Sequence, residues 1–355
     1  MLKKILITTI TIVVLVLSLG AYAFYWLSSF MPKEHEITAL KASQPSALTY
    51  LQGSTSEHRG KILAVVTSTN KMGQSNKKTG YELTELSRAY WVFTANGFKV
   101  DVASVKGGKA PVVIDADDMG EYDYAFLNDP KAQQKVTQTL FIDDVDPNDY
   151  AAVYFVGGKG AMFDFPNNPA IQKLVKNLHE NNKIITAVCH GPAALVNVKL
   201  DNNDWLITNK DVSGFTNDEE LFLIPDAQTI FPFLLQDKLS ERGANFQLGE
   251  TYLEKVVQDG QLITGQNPWS VWTLAEKTIE ALGYDPIPRE ITAEENSIQL
   301  LTLYKQEGYK SARSFVNNNN LKYQQVLIVM HSIVAFMKMN LSEGLDLLLI
   351  ANALR

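Results

Sequence analysis

Cysteine is nearly absent: Cys189 is the single one in 355 residues, which forbids an intramolecular disulfide and any multi-thiolate zinc or iron–sulfur site. Histidine is scarce too. Of five, His35, His58 and His331 lie toward the chain ends and His179 in a polar helical stretch, so only His190 adjoins the thiol. Basic charge is in deficit, with 32 Lys and Arg against 39 Asp and Glu and a net charge of −7, which removes the cationic footprint that nucleic acid requires. With 21 Gly and 13 Pro the chain is neither collagen-like nor of low complexity, and no repeat of fixed period is evident. What it has is apolar substance. Hydrophobic residues reach 46% and charged ones 20%, enough for two or three units of about 150 residues each.

One long apolar run exists, over residues 5–30, without a charge, after Lys3 and Lys4 and before Lys33, Glu34 and Glu36. A bilayer needs roughly 20 such residues, so the run predicts a transmembrane signal anchor over 1–31, with the rest of the chain in the periplasm or outside the cell by the positive-inside rule. Secretion after cleavage at Ala21-Tyr22-Ala23 is the competing reading. Residues 32–57 show no sustained period and read as a spacer.

From Lys61 the pattern alternates strand and helix. Continuous apolar runs at 62–66, 98–103, 150–156 and 184–188 suit strands buried on both faces, and a helical period runs through Leu83, Leu86, Tyr90 and Phe93 to Gly97. Asn168 and Pro169 begin a helix to about Asn182, Asp259-Gly260 marks a hairpin over 255–264, and a last helix spans 269–282. Residues 58–283 therefore predict an α/β domain with a doubly wound, mostly parallel, flavodoxin-like sheet. Residues 284–355 predict a helical appendage, with Thr292 and Glu295 as a capping box and an interruption at 317–320. Its apolar stripe at 326–337 serves packing or, alternatively, a homodimer or partner surface.

Cys189 falls where the strand 184–188 turns into Gly191-Pro192-Ala193-Ala194. A lone Cys at a strand end is ordinarily a small buried hydrophobe, but Cys-His-Gly-Pro at this place describes a nucleophile elbow, aimed at a helix N-terminus that would lower the thiol pKa. The segment 187–192 resembles the ThiJ/PfpI superfamily (class I glutamine amidotransferase-like), in the branch of heat-shock chaperone-like glyoxalase III enzymes. Lys78-Thr79-Gly80 with Glu85, Ala103-Ser104 with Gly107-Gly108, Gly158-Lys159-Gly160 with Phe163-Asp164, Gly214-Phe215-Thr216 with Glu220, and Thr264-Gly265-Gln266-Asn267-Pro268 extend the likeness over 58–283.

That resemblance implies roles. Cys189 attacks the aldehyde carbon of a 2-oxoaldehyde such as methylglyoxal, His190 moves a proton between the substrate carbons, Glu220 orients His190, and Glu85 shuttles protons beside the thiol. Gly158 and Lys159 supply oxyanion-hole amides, the product is a 2-hydroxy acid (D-lactate), and neither cofactor nor metal is needed. By spacing alone Glu82 serves as well as Glu85, and Asp218 is the substitute for Glu220 in an acidic run, 218–220, of a kind usually solvated. The branch shows Gly-His-Gly where this chain has Gly158-Lys159-Gly160, which keeps the backbone donors and exchanges an imidazole for an ammonium. A holdase chaperone, a protein deglycase and a redox-sensing stress protein are the alternative functions. A class I amidotransferase is excluded, because residues 191–283 contain no downstream His.

Overall fold

The computed structural model describes residues 9, 14, 17, 18, 20–22 and 24–354. The chain divides into two compact units, one of Leu40–Glu290 and the other drawn from Met1–Ala39 and Ile291–Arg355. In the larger unit the apolar runs become the strands of a seven-stranded sheet: β1 (Gly60–Val66), β2 (Phe98–Ser104), β3 (Leu140–Phe141), β4 (Ala152–Phe155), β5 (Ile184–Val188), β6 (Val256–Asp259) and β7 (Leu262–Gly265). They lie in the order β6-β7-β5-β4-β1-β2-β3. All neighbours are parallel except the β6–β7 hairpin, which turns at Gly260 with φ +60°. Every residue of β4 and β5 is buried, as strands covered on both faces require.

Helices of this unit include α1 (Leu83–Ala95), α2 (Glu121–Asn128), α3 (Pro130–Thr137) and α4 (Pro169–Glu180). Asn168 caps α4 with its side chain on the Ile171 amide, and Pro169 fills the first position. Neither α2 nor α3 is apparent in the Asp-rich sequence between β2 and β4. The first holds because the buried Asp123 is paired with the buried Arg88 of α1 at 3.3 Å, so a charged residue does the work of a core one. The second shows only Ala132 and Val136 to the interior, too little for a visible period. Further on come a short helix α5 (Asn217–Leu223) and α6 (Val271–Ala281).

The smaller unit contains α7 (Ala293–Glu307), α8 (Tyr309–Asn318), α9 (Gln325–Met337) and α10 (Leu341–Ala353). The Thr292–Glu295 capping box opens α7. Between α9 and α10, Gly344 lets the backbones approach, since a Cβ there would stand 2.5 Å from the Phe336 ring. Ser332 donates its hydroxyl to the Gly344 carbonyl at 2.7 Å.

The N-terminal reading is corrected. No helix among the described residues is long and apolar enough to cross a membrane, so the expected anchor, membrane attachment and extracytoplasmic placement are not supported. Much of the apolar run, and Ala23 of the cleavage motif, lie outside the described residues. At the end that is described, Phe30 is buried and meets Trp26 edge to face at 4.9 Å, so apolar character is spent on packing between side chains. The stretch 32–57, which shows no period in sequence, contains a helix at Glu34–Lys41 and a single helical turn at Thr49–Gln52. Tyr50 is buried there and its hydroxyl accepts from Asn96 Nδ2 at 3.1 Å.

Candidate active site

Cys189 follows β5 at the carboxyl edge of the sheet, with φ +57°, a left-handed conformation that a side chain bearing a Cβ adopts only when its surroundings enforce it. Two backbone bonds do so. The Cys189 N–H donates to the Gly265 carbonyl of β7, and the Cys189 carbonyl accepts from the Phe215 N–H, both at 2.9 Å. The turn needs Gly191, because a Cβ there would stand 2.2 Å from the Phe155 carbonyl oxygen of β4.

Around the thiol three elements converge. His190 places Nδ1 3.3 Å from Cys189 Sγ and Nε2 2.6 Å from Glu220 Oε2, making one line of thiol, imidazole and carboxylate. Phe215 lies over the imidazole with ring centroids 4.6 Å apart. Glu85, in the first turn of α1, is completely buried, faces the thiol and accepts from the Gly157 N–H through Oε2 at 2.7 Å. Its backbone carbonyl accepts from the Tyr154 hydroxyl at 2.8 Å. Gly157 can be nothing larger, since a Cβ would meet Glu85 Oε2 at 2.5 Å and Cys189 Cβ at 2.8 Å. The N–H groups of Gly158 and Lys159 donate to no acceptor among the described residues.

The electrostatics follow from burial. Burial, then the charge of Glu82, pushes Glu85 well above the usual carboxylate range, toward its neutral acid form. Glu82 is pushed up to about 8, again by burial, with Lys159 working the other way. Burial also pushes Glu220 up, but the charge and hydrogen bond of His190 outweigh it and hold that carboxyl below its ordinary value. The thiol itself is driven well up by burial and then by Glu85, while Lys159 opposes them. Here the sequence reading needs amendment. The element after Cys189 is only a short 3-10 helix, Gly191–Ala194, and burial of the thiol pushes its pKa up, not down.

The structure thus brings Cys189, His190, Glu220 and Glu85 together, and sets Gly158 and Lys159 on the loop after β4. Glu85 rather than Glu82 faces the thiol. Glu220 rather than the exposed Asp218 meets His190. The acidic run is not a solvated face, because Glu219 and Glu220 are both buried. Glu219, part of the acidic run 218–220, carries no role of its own in the sequence analysis. The signal was there in Thr216-x-x-Glu219, which has capping-box spacing and forms that box at the start of α5. Among the described residues no group of three or more His, Cys, Asp or Glu side chains is arranged to hold a metal ion.

Comparison with known proteins places the chain among relatives. Residues 77–214 match the DJ-1/PfpI family. A putative glutathione-independent glyoxalase of Schizosaccharomyces pombe is 31% identical over 221 residues, 58% of this chain and 86% of that protein. The crystal structure of Rapid Encystment Protein 24 kDa from Francisella tularensis is 35% identical, covers 63% of this chain and 99% of its own, and superposes with a TM-score of 0.60. Glyoxalase III from Candida albicans is 28% identical in its crystal structure, with coverage of 63% and 98% and a TM-score of 0.58.

Proposed function

Because the chain belongs to the DJ-1/PfpI family, in its glyoxalase III branch, we propose that it is a cofactor-independent glyoxalase that hydrates methylglyoxal or a related 2-oxoaldehyde to the 2-hydroxy acid, with Cys189 as nucleophile. The observation that carries this reading is the thiol held between His190 and a fully buried Glu85.

A chemical sequence follows from those positions. Glu220 is ionised and takes the N–H of His190 Nε2, which leaves Nδ1 as the base toward the thiol. A thiol with a raised pKa is not ionised in advance, so it loses its proton to His190 as Sγ bonds the aldehyde carbon. The former carbonyl oxygen gains a proton and becomes the hydroxyl of a hemithioacetal. Next the C1 hydrogen leaves as a proton and C2 receives one by way of an enediol, with Glu85 and His190 as the exchanging groups. C1 is oxidised to a thioester while C2 is reduced to an alcohol, so no outside oxidant enters. Water then attacks the thioester, the C1–S bond breaks, and sulfur regains its proton. The free amides of Gly158 and Lys159 suit the oxygen that carries negative charge in the first and last steps.

The test is lactate formation from methylglyoxal by the purified protein without glutathione. A single lactate enantiomer from the wild type and none from Cys189→Ser is the expected result. Lactate no higher than that control would overturn the proposal.

A further inference from the structure

Glu220 touches His190 through one oxygen only. Its Oε1 is buried without a partner, and a single contact does not fix a carboxylate. What fixes it lies one residue earlier. The Glu219 carboxylate is completely buried, as are Gln266 and Asn267, and it accepts five hydrogen bonds. Oε1 receives the Tyr252 N–H at 2.8 Å, Gln266 Nε2 at 3.0 Å and Asn267 Nδ2 at 3.0 Å. Oε2 receives the Thr216 N–H at 3.1 Å and the Thr216 hydroxyl at 2.9 Å.

All five donors are neutral, and no cation lies within ion-pair distance of Glu219 among the described residues. Burying an unpaired charge is costly unless every lone pair is met, and a helix cap alone needs only Thr216. The other three donors come from outside the helix. Tyr252 presents its amide from a left-handed backbone, φ +59°, and its hydroxyl donates to the Glu219 carbonyl at 3.0 Å. Gln266 and Asn267 directly follow β7, whose Gly265 holds the Cys189 amide. Gln266 is itself held by Gly249, whose N–H donates to Oε1 at 2.8 Å, and Asn267 by the Leu253 carbonyl at 2.7 Å. The first turn of α5 is therefore tied to the strand end that carries the thiol turn.

We propose that Glu219, cradled by Gln266, Asn267 and Tyr252, is a positioning residue that sets the Glu220 carboxylate against His190. The proposal rests on the reading of Cys189, His190 and Glu220 as the working line. It gives the Gln266-Asn267 pair a task in catalysis without contact to substrate.

Two variants test it. In Glu219→Gln the amide nitrogen must face one set of donors, and in Gln266→Met one of five donors is lost while four remain. Displacing a catalytic group by about an ångström costs up to about a hundredfold in rate, so Glu219→Gln should lower kcat about ten- to a hundredfold with KM within about twofold, and Gln266→Met should move kcat the same way by less. The acid limb of the kcat profile should shift to higher pH, because Glu220 loses the partner that holds it down. The same displacement should slow Cys189 alkylation by iodoacetamide at fixed pH, a readout that needs no substrate and survives failure of the glyoxalase assignment. A folded Gln266→Met or Glu219→Gln protein with lower thermal stability but wild-type kcat, acid limb and alkylation rate would make Glu219 structural and overturn the proposal.

Discussion

At the scale of single residues the site works by taking charges out of water. Cys189, Glu85 and Glu82 all move toward their neutral forms, and the ionised partner is Glu220, stabilised by His190. Among the described residues Lys159 is the cation that acts on all four groups. It favours each charged form, so Lys159→Met should move the midpoint of Cys189 alkylation to higher pH. Iodoacetamide rates measured across pH for the two proteins check this, and coincident midpoints would turn the ammonium toward solvent. Lys159→His keeps both backbone amides and should remain active on methylglyoxal. The thiol, the imidazole and the choice of Glu85 and Glu220 were legible in sequence because motif register carried them. Burial of the acidic run was not, since solvation of a Glu depends on neighbours such as Gln266 that lie far along the chain.

At the scale of elements, the nucleophile turn is a packing solution between β4, β5 and β7. Gly191 permits the turn by touching the β4 carbonyl, and Gly157 makes room for Glu85 and the thiol. Gly191→Ala should therefore cost about 2 kcal/mol or more of stability and abolish activity together, read as a lower melting temperature and loss of lactate formation. A wild-type Tm and rate in that variant would mean that β4 yields more easily than its buried position implies. The strands 60–66, 98–104, 152–155 and 184–188 announced themselves as short apolar runs, and α4 through its Asn-Pro start. The helices α2 and α3 did not, because one is held by a buried ion pair and the other by two small contacts. Propensity reads neither.

At the scale of the whole molecule, a large α/β unit carries all the site residues and a smaller unit carries the helices α7–α10. Length and absence of charge in the N-terminal apolar run fit a span, yet among the described residues no helix reaches spanning length, and much of the run lies outside them. Chemistry, by contrast, was concentrated in one tripeptide, Cys189-His190-Gly191, placed at a sheet edge. The central claim is that the substrate becomes covalently bound to Cys189, and the most direct measurement is a 13C NMR spectrum of Glu85→Gln protein mixed with methylglyoxal carrying 13C at its aldehyde carbon. Glutamine at 85 cannot exchange the proton, which slows the step after attack by about a hundredfold or more and lets the adduct accumulate. The account predicts a hemithioacetal carbon signal from the bound label, absent when Cys189→Ser is added to the same protein. A spectrum without that signal, while the Cys189→Ser single variant still makes lactate, would contradict it.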